Sequence, residues 1–384
     1  MSMTLAISRF TRQRTRNAVL TCGVLATAYT ALGQVPTSQM SFLASKDGQA
    51  YTATIIGANP FAPPQGPTAV HIVLIPTLVV IGSWTFDPTI PDKCSPYGLS
   101  PEALFSLSPL VQPVPHLTFN GVDIGDVQYP NGFRRAEFWA AIQGSPYYQT
   151  PANYTFAPPY TIRAGETGNG PNPGLVVGSG CQRFGVVSKI WLRSTLEEQV
   201  IPTLRNSGAI NPSDVTAFLF HNVIQFLQPG PVTYDPNSFH GFGYHTAIKD
   251  DVTNTYQIYI TADWDSTALF PPDSATASHE IAETMDDPYV DDPVLQNATP
   301  SWGNIGQVVK VCKSPPIWEV GDPLSAWTLT PIMLNGRVFH VQELAFFSWF
   351  YNHPAVPSIG AGGKFSGHGT YSGPAKVCLP GGTF

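Results

Sequence analysis

The chain has 384 residues, of which 26 are acidic and 19 are lysine or arginine, so its formal net charge is −7. A negative balance argues against nucleic acid or an anionic membrane surface as a partner. Only 12% of the residues are charged, whereas 38 are proline and 34 are glycine, a composition that favours a turn-rich chain with much β-structure.

Residues 1–33 have the pattern of a secretion signal. Four arginines between positions 9 and 16 precede an apolar stretch that is too short to span a membrane. Small residues at Ala31 and Gly33 indicate a cleavage site, so we expect a secreted, extracellular chain that starts near Gln34. Cleavage would change the net charge from −7 to −11, because all four charged residues removed are arginines. No later segment predicts a membrane span.

Four cysteines remain in the expected mature chain: Cys94, Cys181, Cys312 and Cys378. An even number in an exported protein predicts two disulfides, and three pairings are open. We favour Cys94–Cys181 and Cys312–Cys378, because each pair lies within one half of the chain. The spacings do not fit a zinc site built from cysteines.

The first half of the mature chain divides into a lead-in and a β-rich region. Residues 34–67 are polar and then rich in proline, which predicts an extended lead-in or linker. The apolar run at residues 70–83 predicts one or two buried strands, bent at an internal proline. Asn120-Gly121 between two short apolar segments predicts a hairpin turn. These signals belong to a β-rich region over residues 68–190.

Helix and strand signals alternate after residue 190. Ser194 with Glu197 three positions later is a capping-box pattern, which predicts a helix that begins there and ends near Gly208. Apolar patterning then predicts three strands at residues 215–220, 243–248 and 255–261.

Two further helices follow. Residues 275–285 are good helix formers without glycine or proline, and Pro288 predicts the end of this helix. Residues 342–351 predict a second, aromatic helix that packs in the core.

The first of these helices contains the sequence His-Glu-Ile-Ala-Glu at residues 279–283. Positions i and i+4 share a helical face, so His279 and Glu283 should point the same way. This is the spacing of the zinc-binding H-E-x-x-H helix, with Glu283 in place of the second histidine. The motif therefore predicts two metal ligands on one face.

A third ligand must come from elsewhere in the chain. Glu319 and Asp322 flank a glycine that allows a tight turn, and we favour Glu319 over Asp322. Asp286 is an alternative ligand or a partner of one, because it lies seven residues after His279. His340 could take the place of Glu319.

Two residues are candidates for catalysis. Glu280 occupies the position at which H-E-x-x-H enzymes carry the general base that accepts a proton from a metal-activated water. His245, on a predicted strand, could donate a hydrogen bond to substrate or to an oxyanion.

The cofactor expected from one imidazole and two carboxylates is one divalent metal ion. Zinc is the first choice because the chain retains the first histidine of the H-E-x-x-H motif, on a short and rigid helix. The harder donor set leaves manganese, iron and calcium as alternatives.

The motif residues resemble those of known secreted proteins. The sequence A-S-H-E-I-A-E at residues 277–283, followed by Asp287-Pro288, resembles a motif in Exordium-like (phosphate-induced) proteins. It is also similar to exported bacterial proteins that pair such a helix with a later E-x-G-D, here residues 319–322. The broader likeness is to zincin metallopeptidases, which implies His279 as a ligand and Glu280 as the base. This resemblance covers about residues 240–355.

The resulting prediction is an α+β protein with a β-rich N-terminal part and a zincin-like C-terminal part, residues 191–384, that forms one core with residues 68–190 or a separate one. The function that we expect is that of a secreted metal-dependent hydrolase, peptidase-like, acting on a peptide or other extracellular substrate. The alternative is a non-catalytic exported or wall-associated protein that uses a metal ion for folding.

Overall fold

The computed structural model describes most residues between positions 33 and 373. The described ranges are 33–43, 50–62, 67–142, 152–166, 173–228, 230–236, 240–289, 319–324, 328–351, 358–360 and 363–373. Nearly all of the expected signal peptide lies outside these ranges, and so do Cys312 and Cys378.

Strands predominate among the described residues. In chain order they are β1 (Thr37–Leu43), β2 (Ala50–Ile56), β3 (Val70–Ile81), β4 (Trp84–Phe86), β5 (Thr118–Phe119), β6 (Val122–Asp123), β7 (Ala152–Phe156), β8 (Tyr160–Ala164), β9 (Gly174–Val177), β10 (Phe184–Ser188), β11 (Asp214–His221), β12 (Val223–Phe226), β13 (His240–Gly241), β14 (Gly243–Asp250), β15 (Thr255–Trp264), β16 (Leu329–Leu334) and β17 (Arg337–Gln342).

The helices are short, and most of them lie between strands. They are α1 (Pro101–Leu107), α2 (Tyr129–Glu137), α3 (Trp139–Ile142), α4 (Lys189–Thr195), α5 (Ile201–Asn206), α6 (Ala275–Asp286) and α7 (Phe347–Tyr351), with a π-helical segment, Leu196–Val200, between α4 and α5. This mixture of helix and strand agrees with the α+β prediction.

The largest sheet has seven strands and forms the centre of the fold. Its order is β14-β15-β11-β3, and the long strand β3 pairs with β11 and β7 along its first half and with β4 and β8 along its second. Strands β15, β11, β3 and β7 are parallel, and β14 runs antiparallel at the edge. A continuous apolar strand such as β3 is typical of a sheet covered on both faces.

This sheet takes strands from both sides of residue 190, so residues 68–190 and 191–384 contribute to one structure. Residues from Leu32 onward form a single unit. One apolar cluster contains side chains of β1, β3, α2, β15, α6 and α7. In a second cluster, side chains of α4 and α5 pack against other side chains of the central sheet.

Residues 34–67 contain a β-hairpin rather than a lead-in alone. β1 and β2 pair antiparallel. In β1, Met40 and Phe42 are buried while Gln39 and Ser41 are exposed, and in β2 Ala53, Ile55 and Ile56 are buried. The ring of Phe42 packs edge-on against Phe347 of α7, at a centroid distance of 4.7 Å. The period-two burial in β1 anchors the segment to the core.

The helix predicted at Ser194 begins earlier, at Lys189. Ser188 ends β10 in an extended conformation and accepts a hydrogen bond at Oγ from the backbone N–H of Trp191, 3.3 Å away. Glu197 does not complete a capping box but pairs with Arg193, with an Nε–Oε1 distance of 2.9 Å. The helical run ends before Gly208, as predicted.

The second predicted helix is shorter than residues 342–351. Strand β17 continues through Gln342, and the backbone N–H groups of Glu343 and Ala345 donate to Thr328 and Val320 instead of closing helical turns. The aromatic residues of α7 are buried, as expected for a core helix.

The disulfide prediction is confirmed for one pair. Cys94 and Cys181 are bonded, with Cα atoms 5.4 Å apart. A disulfide fits an oxidising compartment such as the extracellular space. Within the described residues, none of the helices is long and apolar enough for a membrane crossing.

Candidate metal centre

Helix α6 holds the H-E-x-x-E motif against the edge of the central sheet. It contacts β14 and β15 of that sheet and also β17. Ser274, just before the helix, donates from Oγ to the carbonyl oxygen of His340 at 2.7 Å, which ties this end to β17. Every residue of α6 is buried except His279. The imidazole of His279 is thus the one side chain of the helix that is partly exposed.

His279 and Glu283 share a helical face, as their spacing requires. His279 Nε2 lies 2.9 Å from Glu283 Oε2 and 4.0 Å from Asp322 Oδ1. The three donor atoms all lie within 4.8 Å of one another. We call these three residues the outer group, because the side chains of His279 and Asp322 are 18% and 36% exposed.

The orientation of the His279 ring is fixed by Gln342. His279 Nδ1 lies 3.0 Å from Gln342 Oε1, and the amide nitrogen of Gln342 donates to the carbonyl oxygens of Gly321 and Leu324 at 2.7 and 3.4 Å. Because the amide nitrogen is engaged by carbonyls, the oxygen must be the acceptor and Nδ1 must carry a hydrogen. In the neutral ring, Nε2 therefore turns its lone pair toward Glu283.

A second group lies beside the first and is fully buried. His245 Nδ1, on β14, is 3.4 Å from Glu280 Oε2 and 3.7 Å from Glu283 Oε2. His245 Nε2 donates to the carbonyl oxygen of Asp287 at 2.9 Å. We call His245, Glu280 and Glu283 the inner group; their side chains are between 2% and 7% exposed.

Glu319 contacts the imidazole of His245 and not that of His279. Its Oε1 is 3.2 Å from His245 Nε2, whereas Asp322 is the residue of this loop that faces His279. The order of preference expected for the third ligand, Glu319 before Asp322, does not match this placement. The two carboxylates of this turn lie beside different imidazoles, Glu319 beside His245 and Asp322 beside His279.

The loop that carries both carboxylates closes directly over α6. The backbone N–H of Gly321 donates to Glu283 Oε1 at 3.0 Å, and the backbone N–H of Glu319 donates to Asp322 Oδ2 at 3.0 Å. A Cβ at Gly321 would overlap the ring of His279. Glycine is therefore required here by close approach, in addition to the turn.

The ionisation of these groups reflects an excess of negative charge. Burial would lower the pKa of both imidazoles, but Glu283 raises the pKa of His279 and Glu319 raises that of His245, each to well above its ordinary value. Burial raises the pKa of Glu319 well above its ordinary value. Burial, together with Glu283, raises the pKa of Asp322 to about 7.

Four carboxyl groups surround two imidazoles in this small volume. Even with both imidazoles protonated, full ionisation of the carboxyl groups would leave two uncompensated negative charges. Such charges are costly in a buried place unless a cation or protons balance them. The His245, Glu280 and Glu283 group could hold a metal ion, and so could the outer group.

Other predicted site residues have different partners. Asp286 Oδ1 lies 2.8 Å from Arg134 Nη1 at the far end of α6. His340 Nδ1 pairs with Asp273 Oδ2 at 2.6 Å. Asp286 and His340 therefore belong to neither group. Both ring nitrogens of His245 face protein acceptors, which leaves no ring nitrogen for the predicted hydrogen bond to substrate.

Sequence patterns did not indicate two residues that shape the centre. Gln342 fixes the tautomer of His279, and Gly243 lies so close to Glu280 that a Cβ would come within 2.8 Å of Oε1. The available signal for Gln342 was an uncharged polar residue at the end of an apolar strand. Such a signal has no unique interpretation without the fold.

No protein-family model, curated protein or solved structure matches the chain.

Proposed function

We propose that the chain is a secreted metal-dependent hydrolase, peptidase-like, whose metal ion is held by His279, Glu283 and Asp322. The observation that carries this proposal is the orientation of His279. Its Nδ1–H is committed to Gln342, while Nε2 faces two carboxylates at the opening of the centre. An acceptor for the N–H of the other ring nitrogen is the usual support of a metal-binding histidine.

The donor set fits a divalent ion. One imidazole nitrogen and two carboxylate oxygens are three protein ligands, the number typical of an open catalytic site. Zinc is the first choice, since it accepts mixed nitrogen and oxygen donors. Manganese and iron accept the same set, whereas calcium needs more oxygen ligands than the outer group provides.

The proposed chemistry places the proton transfer on Glu280. A bound divalent ion would supply Lewis-acid activation of a water molecule. Glu280 lies one residue from His279, is buried, and is close enough for its charge to help to raise the pKa of both His279 and Asp322. Its carboxylate would accept the proton of the attacking water and pass it to the leaving group. His245, whose Nδ1 lies 3.4 Å from Glu280 Oε2, would help to position that carboxylate.

Two features of the chain support this assignment. The order of β14, β15, a loop and then α6 is the strand–loop–helix order expected from the likeness to zincins. Partial exposure of His279 and Asp322 leaves an approach for substrate, which a purely structural site does not need. Secretion is part of the proposal and is supported by the pattern of residues 1–33 and by the disulfide.

The test compares Glu280→Gln with Glu198→Gln, an exposed glutamate on the π-helical segment. Both proteins and the wild type are loaded with zinc and assayed on a panel of peptides and esters. We expect Glu280→Gln to keep its zinc and to lose at least about 100-fold in kcat, because proton transfer by a positioned base contributes about 10²–10⁴-fold. Glu198→Gln should keep full activity.

A second candidate function is favoured by the inner group. A metal ion enclosed by side chains that are 2–7% exposed would be a closed, structural site of an exported protein without catalysis. A wild type that holds zinc, melts at a lower temperature after chelation and hydrolyses nothing on the panel would favour this function over the first.

A further inference from the structure

The inner and outer groups share one residue, Glu283. Its Oε2 is 2.9 Å from His279 Nε2 and 3.7 Å from His245 Nδ1. Each imidazole therefore turns one nitrogen toward the same carboxylate oxygen, from different sides. A carboxylate placed between two nitrogen donors is arranged as a ligand that two metal ions could share.

The spacing within the inner group is long for hydrogen bonds and close to that of ligands around one ion. An N–H···O hydrogen bond usually spans 2.7–3.2 Å. The distances from His245 Nδ1 to Glu280 Oε2 and Glu283 Oε2 are 3.4 and 3.7 Å. Donor atoms around a tetrahedral ion bound at about 2.0–2.1 Å lie about 3.3–3.4 Å apart.

The tautomer of His245 is also suited to coordination. Its Nε2 is 2.9 Å from the carbonyl oxygen of Asp287, which can only accept, so Nε2 carries a hydrogen. The neutral ring then directs the lone pair of Nδ1 at Glu280 and Glu283. This is the same arrangement that Gln342 imposes on His279, reached with a different acceptor.

An independent observation is the state of Glu319. This residue is 6% exposed, and its Oε1 lies 3.2 Å from His245 Nε2 without a well-aligned hydrogen bond among the described residues. The single hydrogen on Nε2 is directed at Asp287. A buried carboxylate oxygen without a hydrogen-bond donor destabilises the fold through its lost solvation, unless a positive charge lies nearby.

We infer that the chain binds a second divalent cation, held by His245 Nδ1, Glu280 Oε2 and Glu283 Oε2, so that Glu283 links two metal positions. The inference rests on the proposed function for the outer position and deepens it to a two-metal centre. It uses one oxygen of Glu280 and leaves the other for proton transfer. Glu319, next to the ring of His245, would offset part of the added positive charge.

Zinc counting tests the inference. The full-length chain without a histidine tag is dialysed against zinc, and zinc per chain is measured by mass spectrometry. We expect two equivalents in the wild type and one in His245→Asn, because only the inner position needs this imidazole. His279→Asn should also hold one, and His116→Asn, whose side chain is 82% exposed, should hold two.

One zinc ion per wild-type chain, or two in His245→Asn, would overturn the second position. The wild-type count needs no variant, so it still decides if His245→Asn fails to fold. The count is also independent of turnover. A chain with two zinc ions that hydrolyses nothing contradicts the proposed hydrolase only, whereas an active chain with one zinc ion contradicts the second position only.

Discussion

Replacement of Gln342 by leucine removes the hydrogen bond that orients the His279 ring, and it leaves every proposed metal ligand unchanged. The variant loses the acceptor at 3.0 Å from His279 Nδ1 and the donor at 2.7 Å from the carbonyl oxygen of Gly321. A buried hydrogen bond contributes about 1 kcal/mol. If both bonds serve the geometry of the outer group, about 2 kcal/mol of binding free energy is lost, which is about a 30-fold weaker affinity for zinc.

Affinity is measured by competition with a chromophoric chelator at pH 7.5, and stability by urea unfolding. Gln257→Leu is the matched control, because Gln257 is equally buried and its amide nitrogen donates to the carbonyl oxygen of Asp214 at 2.8 Å. Both variants should lose stability by a similar amount, but only Gln342→Leu should lose affinity. Wild-type affinity in a folded Gln342→Leu protein would refute the role of Gln342.

Three further changes address stability, loop packing and pH. Arg134→Met should lower the free energy of unfolding by about 3–5 kcal/mol in urea, since it leaves the carboxylate of Asp286 buried without its partner at 2.8 Å. Gly321→Ala should weaken zinc binding at least tenfold in the chelator assay, because the new methyl group displaces the loop from the His279 ring. Without metal, protonated His279 is stabilised in the fold by Glu283, so its pKa is higher in the folded than in the unfolded chain. This contribution to stability is fully present below the unfolded pKa of about 6.5 and is lost as the pH rises through the folded pKa. In EDTA the thermal midpoint should therefore fall above about pH 6.5, and added zinc should raise it more at pH 8 than at pH 6, because protons compete for the ligands.

Each of these outcomes has a contrary result. Gly373→Ala serves as the control for the loop, because nothing lies within 4 Å of a Cβ at that position; equal zinc binding in both alanine variants would contradict the close packing. An Arg134→Met protein as stable as the wild type would show that the buried pair is dispensable. A thermal midpoint in EDTA that rises between pH 6.5 and 8 would contradict the pairing of a protonated His279 with Glu283.

Four strands of the central sheet, β3, β11, β14 and β15, could be predicted from sequence because their signals are local. A long run in β3 that is mostly Val, Ile and Leu, and alternation in β15, identify a strand whatever its partners are. Helix α6 was similarly evident, since its residues are good helix formers and Pro288 ends it. The hairpin β1–β2 was not predicted, because its polar residues concealed the alternation of Met40 and Phe42.

Helix boundaries depended on tertiary contacts. The helix at Lys189 begins at Ser188, where β10 ends, and no apolar period marks that point. Helix α7 starts late because the backbone groups of Glu343 and Ala345 are bonded to other loops. A sequence window cannot show where such partners lie.

Local patterns predicted the ligand candidates of helix α6 and of the loop at Glu319 and Asp322, whereas His245 was predicted only as a hydrogen-bond donor to substrate. The spacing of His279 and Glu283 fixes their common face, and their contact at 2.9 Å follows from helical geometry. His245 and Gln342 reach the centre from two strands that lie far apart in the chain. Their position depends on sheet order and register, which the local pattern does not contain.

The most direct measurement of the central claim is anomalous diffraction at the zinc absorption edge from crystals of the zinc-loaded protein. We expect an anomalous peak about 2.0–2.2 Å from both His279 Nε2 and Glu283 Oε2, with Asp322 as the third protein ligand. Crystals in which the strongest peak lies away from His279 and Glu283, or in which no peak occurs at saturating zinc, would contradict the proposed metal centre.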